Sequence, residues 1–127
     1  MRKLILIKHA NPEVIPDVPS EKWRLSAQGR DACAPLAAQL AKHEPAIIVS
    51  STEPKALETA QLLGERLNVS VETGSDLFEH DRSNVPHMRS GEFISHVELL
   101  FRQPDDLVVG LESANEAEAR FRAAIVS

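Results

Sequence analysis

Near its start the chain carries four consecutive aliphatic residues, Leu4-Ile5-Leu6-Ile7, which lie between Lys3 and Lys8 and run into His9. A one-sided strand would alternate apolar and polar positions, so an unbroken run of this kind suits a strand covered on both faces of a parallel sheet. Residues 3–7 are therefore expected to be a buried strand. The run is too short for a secretory core, and no stretch is long and apolar enough to span a bilayer, which gives a cytoplasmic reading with no membrane contact.

Two more apolar runs follow, Ala46-Ile47-Ile48-Val49 after Pro45 and the shorter Val69-Ser70-Val71. Between and beyond them the spacing turns helical. Ser26 is an expected N-cap, followed by Ala32, Cys33, Leu36, Ala37 and Leu40 on one face. Thr52-Glu53-Pro54 has the chemistry of a helix start, Leu57, Ala60, Leu63 and Leu67 share a face, and Asn68 ends the pattern. Residues 92–101, with Phe93, Val97 and Leu100 inward, and Ser113 to Ile125, with Ala117, Phe121 and Ala124 inward, predict two further helices. Leu107-Val108-Val109 is a last apolar segment.

Strands alternating with helices predict an α/β fold of three layers, a mostly parallel sheet with helices on both faces. With 127 residues the chain has room for one hydrophobic core, so residues 1–127 are read as a single domain. Only 4% of residues are aromatic against 43% hydrophobic, so that core must be aliphatic. The net charge of -5 excludes a broad grip on nucleic acid or anionic membrane, which needs clustered Lys and Arg. Cys33 is the one cysteine, so no internal disulfide can form, and its apolar neighbours make it a core filler.

Ligands of parallel sheets sit beyond the carboxyl ends of the strands. His9 follows the first expected strand and Ser51 to Lys55 follow the second, which puts both on one rim. The irregular stretch from Gly74 to Gly91 holds His80 and His87 and is the expected functional loop.

Several of these segments carry a resemblance. Leu4 to Ala10 resembles the histidine phosphatase signature, in which a strand runs into Arg-His-Gly. Leu25-Ser26-Ala27-Gln28-Gly29 resembles that superfamily's Leu-Thr-x-x-Gly helix start. Ser50-Ser51 through Lys55 to Glu58-Thr59-Ala60 resembles Ser-Ser-x-x-x-Arg-x-x-x-Thr-Ala, Leu77-Phe78-Glu79 resembles Leu-x-Glu, and Gly110-Leu111-Glu112-Ser113 is a looser echo of Gly-Glu-Ser. The resemblance implies the phosphoglycerate-mutase-like fold. It also implies His9 as a phosphohistidine nucleophile, Lys8 and Lys55 as cations on phosphate, Asn11 as a further phosphate contact, and Glu79 as proton donor and later base, with neither metal nor cofactor.

The chemistry explains why such residues belong together. A neutral imidazole can take the phosphoryl group covalently and split one displacement into two, fixed cations offset the developing charge, and a carboxylic acid protonates the leaving oxygen. The expected function is hydrolysis of a small phosphomonoester. The alternative is a catalytically impaired phosphate-binding or interaction domain of the same fold, because Lys8 and Lys55 stand where arginine is usual and lysine lacks the bidentate fork. Ala10 stands where glycine is usual. The second histidine that the resemblance implies has no match here, so the domain is expected to lack the C-terminal strand and helix and to leave the first strand open to pairing with another copy. His43, His87 and His96 are read as surface or helix residues, His80 as outside the phosphate site, and Trp23 as packing. A receiver-like domain is disfavoured, because neither of the first two strands ends in aspartate.

Overall fold

A computed structural model describes residues 2–127. After a short 3-10 turn at Ser20–Lys22 come helix α1 (Ala27–Ala41), strand β1 (Ile48–Ser50), helix α2 (Pro54–Leu67), strand β2 (Val71–Thr73), helix α3 (Ser90–Arg102) and helix α4 (Ala114–Val126). The strands β1 and β2 pair in parallel, with Ile48 opposite Val71 and Ser50 opposite Thr73, and α2 is the crossover between them. A crossover of this length is what parallel pairing requires.

The helices begin and end where the local chemistry dictates. The Ser26 hydroxyl accepts the Gly29 amide at 3.0 Å and starts α1. Pro54 occupies the first turn of α2, and Asn68 closes that helix in the left-handed conformation, φ 52°. Ser113 and Glu116 form a reciprocal capping box at the start of α4.

The core lies between α1 and α2. Leu25, Cys33, Ala37, Leu40 and Leu63 are buried together, with Ala10, Leu36, Ile48, Leu62 and Leu67 packed around them. Cys33 donates its thiol to the Gly29 carbonyl, and burial pushes that thiol upward from its ordinary pKa. It is the core filler that its neighbours predicted.

The expected first strand is corrected. Among the described residues nothing pairs with Leu4 to Ile7, which are 66, 40, 67 and 40% exposed. An apolar run states a demand for burial, but a ladder needs a neighbouring strand, and β1 pairs with β2 alone. The segment from His9 onward joins the fold through Ala10 in the core and an isolated antiparallel bridge from Pro12 to Leu25. The chain can pass so close to α1 because residue 29 is glycine: a Cβ there would lie 2.2 Å from the Asn11 carbonyl oxygen. No described helix is long and apolar enough to cross a membrane.

Candidate active site

The Thr59 hydroxyl joins the His9 segment to α2. It accepts the Ala10 amide at 3.1 Å and donates to the Lys55 carbonyl, one turn back, at 2.7 Å. Both of its bonds are satisfied, so His9 is fixed beside the N-terminal turn of α2. The His9 ring bonds the Ala10 carbonyl through Nδ1 at 2.7 Å. A carbonyl only accepts, so Nδ1 must carry the proton, and in the neutral ring that leaves the lone pair on Nε2.

Lys55 sits in the first turn of α2 with its side chain 2% exposed. A buried ammonium is costly without partners. Its Nζ has them: Glu79 Oε1 at 2.5 Å, Glu53 Oε2 at 3.9 Å, and the Trp23 ring, whose centroid is 5.8 Å away. Arg82 Nη2 approaches the same Glu79 oxygen at 3.5 Å.

These neighbours drive two carboxyls apart. Burial alone would raise Glu79, but the Lys55 hydrogen bond and charge, followed by the charges of Arg82 and His9, hold it below the ordinary glutamate value. Glu53 moves the other way, raised first by burial and then by the negative charge of Glu79. An ionised and a more readily protonated carboxyl thus flank one ammonium.

The residues singled out from sequence divide into two groups. His9, Lys55 and Glu79 are brought to one place. Lys8 and Asn11 have exposed side chains that make no hydrogen bond or ion pair among the described residues, and Asn11 contributes its backbone carbonyl instead, accepting from Ser26 N at 3.0 Å and Oγ at 2.9 Å. His43 is exposed, His96 lies on α3 bonded to the Glu92 carbonyl, and the exposed His87 has its ring centroid 6.3 Å from that of Trp23. His80 is bonded through Nε2 to the Glu112 carbonyl. Among the described residues no group of three or more His, Cys, Asp or Glu side chains is arranged to hold a metal ion.

Sequence reasoning misses Glu53 and Arg82, and it gives Thr59 no role. Glu53 and Lys55 are separated by the Pro that opens the helix, a signal readable only once the lysine is known to be buried. The Thr59 signal is its i+4 spacing from Lys55, where a helical hydroxyl can reach back to the earlier carbonyl.

The family model of the histidine phosphatase superfamily, branch 1, matches residues 4–127. No curated protein sequence matches the chain. Among solved structures, mycobacterial hydrolase 2 is 23% identical with a TM-score of 0.75, over 92% of this chain and 53% of its own. Mycobacterial hydrolase 1 is 25% identical with a TM-score of 0.73, over 93% and 60%. The complex of mycobacterial glucosyl-3-phosphoglycerate phosphatase with inorganic phosphate is 25% identical with a TM-score of 0.71, over 93% and 58%. The chain thus spans between 53% and 60% of the length of these three structures. The α/β, phosphoglycerate-mutase-like fold expected from sequence is borne out, and the chain belongs to branch 1 of the histidine phosphatase superfamily.

Proposed function

We propose that the protein hydrolyses a small phosphomonoester through a phosphohistidine on His9. The observation that carries this reading is the gathering of His9, Lys55 and Glu79 around the first turn of α2, joined by Thr59. The lone pair on His9 Nε2 attacks phosphorus, the bond from phosphorus to the leaving oxygen breaks, and that oxygen takes a proton. Water then attacks the phosphohistidine and releases phosphate.

The Lys55–Glu79 pair gives the proton step a trigger. In the resting site Glu79 is ionised and bound to Lys55, which suits a base. An incoming phosphate competes for the ammonium. As Lys55 turns to it, Glu79 loses its counter-charge and faces a new anion, and both effects raise its pKa toward that of an acid. Glu79 thereby donates to the leaving oxygen and later takes a proton from water.

Residues 1–127 act as one phosphate-handling domain in this reading, with a small phosphorylated substrate as partner, no cofactor or metal, and a cytoplasmic setting. The phosphate bound to a protein of the same fold supports a phosphate pocket here. A second reading, an impaired phosphate-binding or interaction domain, is favoured by one observation: Lys55 is already committed to Glu79, so a phosphate must break a short ion pair to bind. Cleavage of an aryl phosphate decides between them. Turnover that falls to background in His9→Ala is expected. Turnover surviving that substitution overturns the nucleophile, and no turnover alongside measurable phosphate binding supports the second reading.

A further inference from the structure

We propose that Arg120, on α4, is a positioning residue that sets where the Glu79 carboxylate stands against Lys55. This rests on the reading of Glu79 as the residue that handles the proton.

The loop that bears Glu79 closes around one guanidinium. Arg120 Nη1 donates to the carbonyls of Asp76 and Phe78, both at 2.8 Å, and Nη2 donates to the Glu79 carbonyl at 3.3 Å. Its Cζ lies 3.6 Å from the Phe78 ring centroid. The remaining donors meet Glu112, with Nη2 2.6 Å from Oε1 and Nε 3.3 Å from Oε2. A planar five-donor group can hold three carbonyls, a carboxylate and a ring face together, whereas a lysine ammonium has three donors and no plane.

Glu112 extends the clamp to the other side of Glu79. Its Oε1 accepts the Asp81 amide at 2.9 Å, and its backbone carbonyl accepts from His80 Nε2 at 2.7 Å. The Leu111 amide donates to the Asp81 carbonyl at 2.8 Å. Residues 76–81 are thus held from α4 and from the strip that precedes it. The Arg120 and Glu112 side chains are 16% and 14% exposed, so the pair is shielded from solvent screening. Burial would raise Glu112, but Arg120 and the Asp81 amide hold it low and ionised.

Arg120 reaches the main chain of Glu79 and not its carboxylate. The charged groups acting on that carboxylate are Lys55 in the first turn of α2, Glu53 at its cap, Arg82 of the same loop and His9 of the N-terminal segment. Arg120 therefore acts through position: it fixes the backbone from which the carboxylate reaches Lys55.

The test is carbon-13 NMR titration of the Glu79 carboxyl in the intact chain, compared among Arg120→Ala, Arg120→Lys and Glu112→Gln, with aryl phosphate kinetics and thermal melting in parallel. All three substitutions are expected to move the Glu79 midpoint upward. They should also lower kcat more than they raise KM, by about 100-fold for a displacement near 1 Å. Lysine at this position keeps the charge but not the fork, so Arg120→Lys should behave like Arg120→Ala. An unchanged Glu79 midpoint with a lowered melting temperature overturns the proposal, as does full restoration by Arg120→Lys, which would leave charge as the cause. If Arg120→Ala does not fold, the Arg120→Lys and Glu112→Gln titrations decide. The titration needs no turnover, so an inactive protein sinks the hydrolase reading and leaves this inference to stand or fall by itself.

Discussion

Lys55 Nζ and Glu79 Oε1 lie 2.5 Å apart, so the cation proposed to meet a phosphate and the carboxyl proposed to serve a leaving group hold each other. Glu79→Gln removes the negative charge and leaves Glu53, at 3.9 Å, as the nearer anion to the ammonium. Phosphate should then bind several-fold more tightly, by about 1 kcal/mol, because it no longer displaces a charge-assisted bond. Turnover should drop by about 10²–10⁴-fold with the proposed proton donor gone. Phosphate titration followed on the His9 ring signals, beside aryl phosphate kinetics, checks both. Weaker binding in the variant would mean that Glu79 orders the pocket and does not compete for it.

The same pair sets an acid limit on stability. Glu79 is held below its ordinary value in the folded chain, so its contribution is present above the unfolded value and is lost as pH falls from about 4 through the folded value. Glu112 has the same sign, and Glu53, raised by burial, has the opposite one: its contribution is present at low pH and fades as pH rises through its folded value. Melting temperature should therefore fall on acidification below about pH 4, less steeply in Glu79→Gln. Equal slopes in the two proteins would contradict the pairing.

Gly110 adopts φ +82°, and a Cβ there would stand 2.2 Å from the Asp81 carbonyl oxygen and 3.0 Å from Arg82 Cα. Both contacts are backbone and cannot swing aside. Gly110→Ala should cost on the order of 1–3 kcal/mol and should weaken the closure of this strip on the Glu79 loop. Chemical denaturation and faster exchange of the Leu111 amide are the measurements. A stability change within error would show that the strip relocates freely.

Leu4 and Leu6 present apolar side chains on a segment without ladder partners among the described residues. Such backbone recruits other strands. The 127-residue chain should self-associate with rising concentration, and Leu4→Lys combined with Leu6→Glu should suppress it. Light scattering giving the mass of one chain at every concentration would overturn this.

The four helices are legible in sequence because each depends on near neighbours, whereas β2, expected at residues 69–71, forms at Val71–Thr73, where it finds β1 23 positions back. Ser26 with Gly29 and Ser113 with Glu116 are local caps, and the apolar faces of α1 and α2 pack on each other. Leu4 to Ile7 differ because the run gives the side chains' demand and says nothing of which strand would answer it. The expected rim rested on a first strand that does not pair; His9 and Lys55 are brought together instead through the Thr59 hydroxyl, and the burial of Lys55 and its pairing with a carboxylate 24 positions on are likewise tertiary facts. Arg120 does leave a trace. It lies three residues after Ala117 and four before Ala124, at the edge of the face those residues share with Phe121, and an arginine beside an inward face implies a buried acceptor that sequence alone does not name.

The Ser26 hydroxyl accepts the Gly29 amide and donates to the Asn11 carbonyl, so a single oxygen both starts α1 and tethers the chain just past His9. Opening of the helix end and release of the tether then cannot be separate events. In hydrogen exchange the Gly29 and Ser26 amides should show a common protection factor, and the Ala10 amide, bound to Thr59 on α2, should share it. The segment that carries His9 would exchange at the tempo of the core helices, however loosely Leu4 to Ile7 are held.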